Sequence, residues 1–310
     1  MEIKYIGINQ TRLLLTIGKT NGYIIISIEN NKVLNEKYTL GAINIVELYY
    51  STNILFIVGD NKELNTLNIW DAKLEKYVGF IKNKNYIEKI KINRDYIIIY
   101  DNYDINIYTF KNLELIKSIK CNNIYFDLSI NVNNLIICSN TGYIKVYNLD
   151  NNNCEIFKAH DSSIQYLKIS RTNKYIASVS EYGRKIKIFD LYTTKLKKIL
   201  YRGVLTSKII NIEFDEIDNY ILLYSNTGTI HIYNILEDNP KTLISNISNY
   251  MFNYEINNYE YSLYRIELNK INNICIMNNY KKINIVNKDT LDITRYKLEN
   301  INDTLKYLKC

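Results

Sequence analysis

Ile186-Lys187-Ile188-Phe189-Asp190 and Ile230-His231-Ile232-Tyr233-Asn234 are two copies of one pattern: apolar, polar, apolar, aromatic, then Asp or Asn. The pattern returns along the whole chain. It reads Ile24-x-Ile26, Leu67-Asn68-Ile69-Trp70-Asp71, Ile105-Asn106-Ile107-Tyr108, Ile144-Lys145-Val146-Tyr147-Asn148 and, after the first two quoted, Ile283-Asn284-Ile285. A period of about forty residues is that of a four-stranded propeller blade with a WD-type ending on its third strand. Seven copies predict an all-β fold, a seven-bladed β-propeller of WD-like repeats, built as a single domain over residues 1–310.

Alternation with period two puts Ile186 and Ile188 on one face of a strand and Lys185 and Lys187 on the other; His231 likewise opposes Ile230 and Ile232. The isoleucines are expected to pack between blades, leaving the alternate positions for the surface or a site. Asn140-Thr141-Gly142 and Asn226-Thr227-Gly228 predict tight turns between strands. One stretch near residue 240 carries helical periodicity.

Bulk composition narrows the function classes. At 310 residues and 47% hydrophobic the chain can bury a full core, and with Pro used once no linker divides it. The first ten residues lack the basic and apolar regions of a signal peptide, and no apolar run approaches membrane-spanning length, which predicts a soluble cytosolic protein. Cys121, Cys138, Cys154, Cys275 and Cys310 are widely spaced and show no metal-ligand pattern, so reduced thiols and no metal are expected. The net charge of +7 suits an anionic partner but does not identify one. No nucleophile elbow, Gly-rich phosphate loop or carboxylate pair points to catalysis, and no nucleic-acid-reading motif appears.

Between the fifth and sixth repeats stands Tyr201-Arg202-Gly203, with Ser178, Ser180 and Lys187 before it and Ser225, Thr229 and His231 after. A phosphate monoester presents three acceptor oxygens and about two negative charges. It calls for a bidentate guanidinium such as Arg202, a glycine such as Gly203 that lets the backbone approach, and hydroxyls such as Ser207, Ser225 and Thr229. Beside a dianion the cationic form of His231 is favoured. His160, at a blade opening, is read as a structural residue. Lys195, Lys197 and Lys198 are read as a solvated face that helps attract anionic membranes.

In this order the repeats resemble the PROPPIN family, seven-bladed β-propellers that bind phosphoinositides. The resemblance runs from Ile8-Asn9-Gln10-Thr11 and Gly22-Tyr23 through Glu47-Leu48-Tyr49-Tyr50-Ser51-Thr52 and Val58-Gly59. It is strongest over Ala159-His160, Ala177-Ser178-Val179-Ser180, Ile186 to Asp190, Arg202-Gly203 and Gly228 to Tyr233. It implies two lipid head-group pockets served by a Phe/Leu-Arg-Arg-Gly motif, which here reads Leu200-Tyr201-Arg202-Gly203. The second pocket maps onto Arg202, Ser207, Ser225, Thr229 and His231, with Lys208 beside them. The first maps onto Ser178, Ser180 and Lys187. There Tyr201 replaces an arginine, and Arg184, where the family has threonine, is a compensating candidate.

The resemblance further implies a membrane-inserting loop in the sixth blade. The candidate is 237–251, in which Pro240 opens a short helix and Leu243, Ile244, Ile247 and Met251 line one face. A plain fourth strand over Leu243–Met251 is the alternative. The implied function is non-enzymatic: binding of phosphatidylinositol 3-phosphate, with the 3,5-bisphosphate as a second candidate, at autophagosomal, endosomal or vacuolar membranes. Expected partners are phosphoinositide-bearing membranes and autophagy proteins, among them a lipid-transfer protein at the loop 60–66, with a monomer in solution and no cofactor. The competing reading is a protein-interaction scaffold with little lipid affinity, for which Tyr201 is the argument.

Overall fold

The computed structural model describes residues 2–59, 64–121, 125–236, 260–268, 272–277, 282–301 and 304–309. The chain divides into two compact units, Met1–Asn123 and Ile124–Cys310. In the first, sheet one is β1 (Ile3–Ile8), β2 (Leu14–Lys19), β3 (Gly22–Ser27) and β4 (Val33–Lys37). Sheet two is β5 (Ile43–Leu48), β6 (Ile54–Gly59), β7 (Thr66–Asp71) and β8 (Lys76–Lys82), and sheet three is β9 (Lys89–Ile92), β10 (Tyr96–Tyr100), β11 (Asp104–Thr109) and β12 (Leu115–Lys120).

In the second unit, sheet four is β13 (Phe126–Leu128), β14 (Asn134–Cys138), β15 (Tyr143–Asn148) and β16 (Cys154–Lys158). Sheet five is β17 (Ile164–Ile169), β18 (Tyr175–Ser180), β19 (Lys185–Asp190) and β20 (Leu196–Tyr201), with the short β24 (Glu260–Tyr261) as a fifth strand beside β20. Sheet six is β21 (Ile209–Phe214), β22 (Tyr220–Ser225), β23 (Thr229–Asn234) and, after β24, β25 (Tyr264–Glu267). Sheet seven is β26 (Asn273–Met277), β27 (Lys282–Asn287), β28 (Ile293–Ile301) and β29 (Thr304–Lys309). These seven sheets, antiparallel apart from the parallel pairing of β24 with β20, are the blades of the seven-bladed β-propeller that the repeats predict, and no helix occurs among the described residues.

Six of the seven quoted repeats lie in the third strand of their sheets and Ile283-Asn284-Ile285 in the second strand of sheet seven, and the Asp or Asn that closes five of these strands has a definite task. Asp190 Oδ1 accepts from the backbone N–H of Tyr192 and Thr193, Asp71 Oδ1 from Lys73 and Leu74, and Asn287 Oδ1 from Asp289 and Thr290. This local bond turns the chain into the next strand. The turn ends on a left-handed residue, Thr194 (φ 55), Glu75 (φ 51) or Leu291 (φ 62).

The alternating apolar positions form the core. Ile186 and Ile188 pack with Leu200, Ile212, Leu223 and Tyr233 between sheets five and six. Ile176, Phe189 and Leu167 pack with Ile136, Ile144 and Val146 between sheets four and five. Ser178 stands opposite Lys187 in register, on the face of sheet five that turns towards sheet four. Polar residues of adjacent strands are thereby sorted into two separate gaps.

The fourth strand of sheet six is Tyr264–Glu267, so a fourth strand over Leu243–Met251 is not what completes that blade. The residues 237–259, with Leu243, Ile244 and Ile247, lie outside the described residues. Glu260–Tyr261 pairs parallel with Leu200–Tyr201 of sheet five before the chain joins sheet six.

Candidate functional site

Arg202 leaves β20 directly after Tyr201, and its guanidinium is aimed by backbone. Its Nε donates to the Gly183 carbonyl at 2.6 Å, an Nη2 N–H donates to the Leu205 carbonyl, and its own N–H donates to the Arg184 carbonyl at 2.8 Å. None of these partners is a carboxylate. Burial works against its charge and lowers its pKa, while Arg265 adds like-sign repulsion. At Gly203 nothing lies within 4 Å of where a Cβ would stand, so the chain itself does not require glycine there. The open space is available to an approaching ligand.

On sheet six, Thr229 and His231 share one face of β23. His231 is paired with Arg265 of β25, and Thr229 with Glu267. The imidazole is buried, its Nδ1 lies 3.2 Å from Ser262 Oγ, and it stacks on Tyr233 at 6.3 Å between ring centres. Burial, then the charges of Arg202 and Arg265, push its pKa down to about 4. The Tyr233 hydroxyl donates to the Tyr201 carbonyl at 3.1 Å and ties the two sheets together below the site. Arg265 holds one carboxylate, Glu267, at 3.0 Å, with both side chains exposed.

Arg202, Arg265 and the neutral His231 therefore make a region of excess positive potential whose paired acid, Glu267, lies at its edge. Hydrogen-bond acceptors carrying negative charge fit it best. Arg265 and Ser262 were absent from the sequence reading. Nothing in the third-strand pattern marks a fourth strand, and this one follows the insertion 237–259.

The remaining predicted residues are distributed as follows. Ser225, Thr227 and Thr229 hydroxyls form a triangle with sides of 2.8, 3.1 and 3.0 Å at the turn into β23. The Ser225 and Thr227 part of it is a turn device, because Ser139 and Thr141 make the same 2.8 Å contact at the equivalent turn of sheet four. Ser207 Oγ donates to Asn226 Oδ1 at 2.8 Å, and the same oxygen accepts from the Lys208 N–H at 3.0 Å. The Lys208 side chain is exposed.

Ser178, Ser180 and Lys187 belong to the other gap. The Ser178 hydroxyl is 2.9 Å from His160 Nε2, and Lys187 Nζ donates to the Ala159 carbonyl at 2.8 Å. His160 is buried, and burial followed by the Lys187 charge pushes its pKa down to about 4. Its bond to Ser178 makes it a structural link, as its place in the repeat predicts. The Ser180 carbonyl accepts from the Gly183 N–H at 2.9 Å, in the turn to β19. Arg184 is exposed, with its guanidinium 5.7 Å above the Tyr182 ring. Tyr201 lies opposite Lys185 and meets Tyr261 edge to face at 5.4 Å.

One expectation needs correction. Lys195 and Lys197 are exposed, but Lys198 is largely buried in an ion pair with Glu260 at 2.8 Å and is not part of a solvated face. None of the four described cysteines is in a disulfide, and among the described residues no His, Cys, Asp and Glu cluster could hold a metal.

No family model matches the chain. Among curated proteins it is 27% identical over 258 residues to autophagy-related protein 18 of Dictyostelium discoideum, covering 75% of this chain and 65% of that protein. It is 26% identical over 238 residues to autophagy-related protein 21 of Schizosaccharomyces pombe, covering 75% and 71%. It is 27% identical over 267 residues to WD repeat domain phosphoinositide-interacting protein 1 of Xenopus laevis, covering 80% and 60%. The match to the Dictyostelium relative thus spans just under two thirds of that protein's length. Among solved structures it superposes on Hsv2p of Kluyveromyces lactis with a TM-score of 0.85 at 19% identity, covering 100% of this chain and 98% of that one. A complex of KlAtg21 with the coiled coil of AgAtg16 gives 0.83 at 18% identity, with 100% and 98% covered.

Proposed function

We propose that this chain, a homologue of the PROPPINs, is a non-enzymatic effector that docks on membranes bearing phosphatidylinositol 3-phosphate. The 3,5-bisphosphate is the second candidate lipid. The observation that carries this reading is the convergence of Arg202, Arg265 and His231 beside an open glycine, with backbone carbonyls rather than a carboxylate holding Arg202. A phosphate there replaces the repulsion among cations with charge-assisted hydrogen bonds, each contributing about 1.5–3 kcal/mol. One such pocket holds a soluble head group weakly, so membrane residence draws on a second contact through effective concentration.

In the Ser178 and Lys187 gap, Tyr201 occupies the strand end where a second guanidinium would serve a further phosphate. The gap keeps Lys187 and the nearby Lys185, a weaker set for bidentate recognition. Docked on autophagosomal, endosomal or vacuolar membranes, the protein would recruit partners for autophagy or endolysosomal traffic. The coiled-coil complex of a structural neighbour supports a partner of that shape, while the loop 60–66 expected to meet a lipid-transfer protein lies outside the described residues at 60–63.

Vesicle flotation with each phosphoinositide, on wild type and Arg202→Ala, tests the reading. Wild type is expected to float with phosphatidylinositol 3-phosphate vesicles and the variant to stay behind. The second reading, a protein-interaction scaffold with little lipid affinity, is favoured by the packing of Tyr201 on Tyr261. It predicts the same lipid-independent behaviour from both proteins.

A further inference from the structure

Two exposed apolar residues, Val204 and Leu205, follow Arg202-Gly203, with fractional exposures of 67% and 78%. Single exposed aliphatics are ordinary on a soluble protein. These two are adjacent, sit at the tip of a loop, and that loop is held from behind. Arg202 grips the Leu205 carbonyl and the Gly183 carbonyl at once. Gln165 Nε2 donates to the carbonyls of Ser207, Ser180 and Glu181 at 2.9, 3.0 and 3.1 Å, while its Oε1 accepts from the Ile209 N–H at 2.9 Å. The Ser207 N–H donates to the Tyr182 carbonyl at 3.1 Å.

The connection 202–208 and the turn 181–184 are thus clamped into one platform. Tyr182, itself 49% exposed, stands on the second loop with Arg184 stacked over it. Lys208 flanks the first loop and is exposed. The acidic group of the platform, Glu181, accepts from Ser163 Oγ at 2.5 Å.

We propose that Val204 and Leu205 form an apolar tip that enters the bilayer interface while Arg184 and Lys208 meet anionic lipid head groups. The occupant is a lipid surface because the patch combines a small apolar point, an amphipathic tyrosine and flanking cations, the composition that partitions into the head-group boundary. The inference rests on the membrane reading above and adds to it a second contact, rigidly joined to Arg202. The clamp matters because the tip is already ordered in water, so insertion costs little conformational entropy.

The test uses the full chain with vesicles of phosphatidylcholine, phosphatidylserine and phosphatidylinositol 3-phosphate, and separately the water-soluble inositol 1,3-bisphosphate. A Val204→Ser, Leu205→Ser double variant is expected to bind the soluble head group as wild type does and the vesicles at least about tenfold more weakly. In a Leu205→Trp variant, indole emission is expected to move to the blue on vesicle addition and to be quenched by brominated acyl chains. Trp70, the chain's single tryptophan, is buried and so gives a constant background.

Equal vesicle binding by the double variant, or an unmoved indole emission in Leu205→Trp, overturns the proposal, leaves the head-group reading standing, and would assign the tip to a protein partner. Loss of soluble head-group binding in the double variant also overturns it, since the tip would then act through the pocket. Vesicle binding that depends on the tip, with no soluble head-group binding by wild type, supports the tip and removes the pocket. Absence of vesicle binding by wild type overturns both.

Discussion

His231 and Arg265 stand opposite each other across β23 and β25, and the imidazole stays neutral because burial and two neighbouring arginines oppose a third positive charge. A dianionic phosphate placed between them reverses that balance. The histidine therefore links ligand binding to proton uptake.

Head-group binding is expected to tighten as pH falls from about 7 to about 5, because the bound state raises the His231 pKa above its free value of about 4. Calorimetry in two buffers of different ionisation enthalpy should show a proton taken up on binding. His231→Gln should bind more weakly and with no proton uptake. A pH-independent wild type would separate His231 from the ligand.

Stability has the opposite pH dependence. His160 and His231 have folded pKa values of about 4 against an ordinary 6.5, so the unfolded chain binds more protons between those limits. Each contribution is fully present above about pH 6.5 and is lost as pH falls towards 4, by up to about 3 kcal/mol per residue. Urea unfolding at pH 7, 6 and 5 should show a falling midpoint, with a shallower fall in His160→Gln.

Gly183 is left-handed at φ +63, and a Cβ there would stand 1.9 Å from the Ser207 carbonyl oxygen. Gly183→Ala is expected to lower the unfolding free energy by about 2 kcal/mol or more, because backbone on both sides must move. Gly203→Ala, with open space around its Cβ position, should leave urea unfolding almost unchanged and weaken head-group binding if a ligand uses that space. The pair of variants separates fold from site.

Tyr201 shares a face of sheet five with Lys185 and Lys187. Tyr201→Arg is expected to raise vesicle affinity several-fold by adding a bidentate donor beside those lysines. It also removes the ring contact with Tyr261, so a modest loss of thermal stability should accompany the gain. Unchanged affinity would mark the Ser178 gap as structural.

The fold was legible because each blade repeats one strand whose parity serves packing, and in five of the seven a terminal Asp or Asn serves turning. The same parity sorts Ser178 and Lys187 away from Ile186, and Thr229 and His231 away from Ile230, but that these positions fall into two separate groups was legible only through the family resemblance. Arg265 and Ser262 escaped for a physical reason. Fourth strands such as Tyr264–Glu267 lie at the sheet edge with one face towards solvent, so their composition is loosely constrained and leaves no periodic signature. The hold of Arg202 on Gly183 and Leu205 was equally invisible, since backbone carbonyls carry no residue identity.

The short strand Glu260–Tyr261 has a mechanical consequence. It is stitched to Leu200–Tyr201 and fastened by the buried Lys198–Glu260 pair before the chain reaches sheet six. A displacement of Glu260–Tyr261 is therefore delivered to β20, the strand that Arg202 directly follows. The seat of this two-residue strand and the root of one guanidinium thus share a single stretch of backbone.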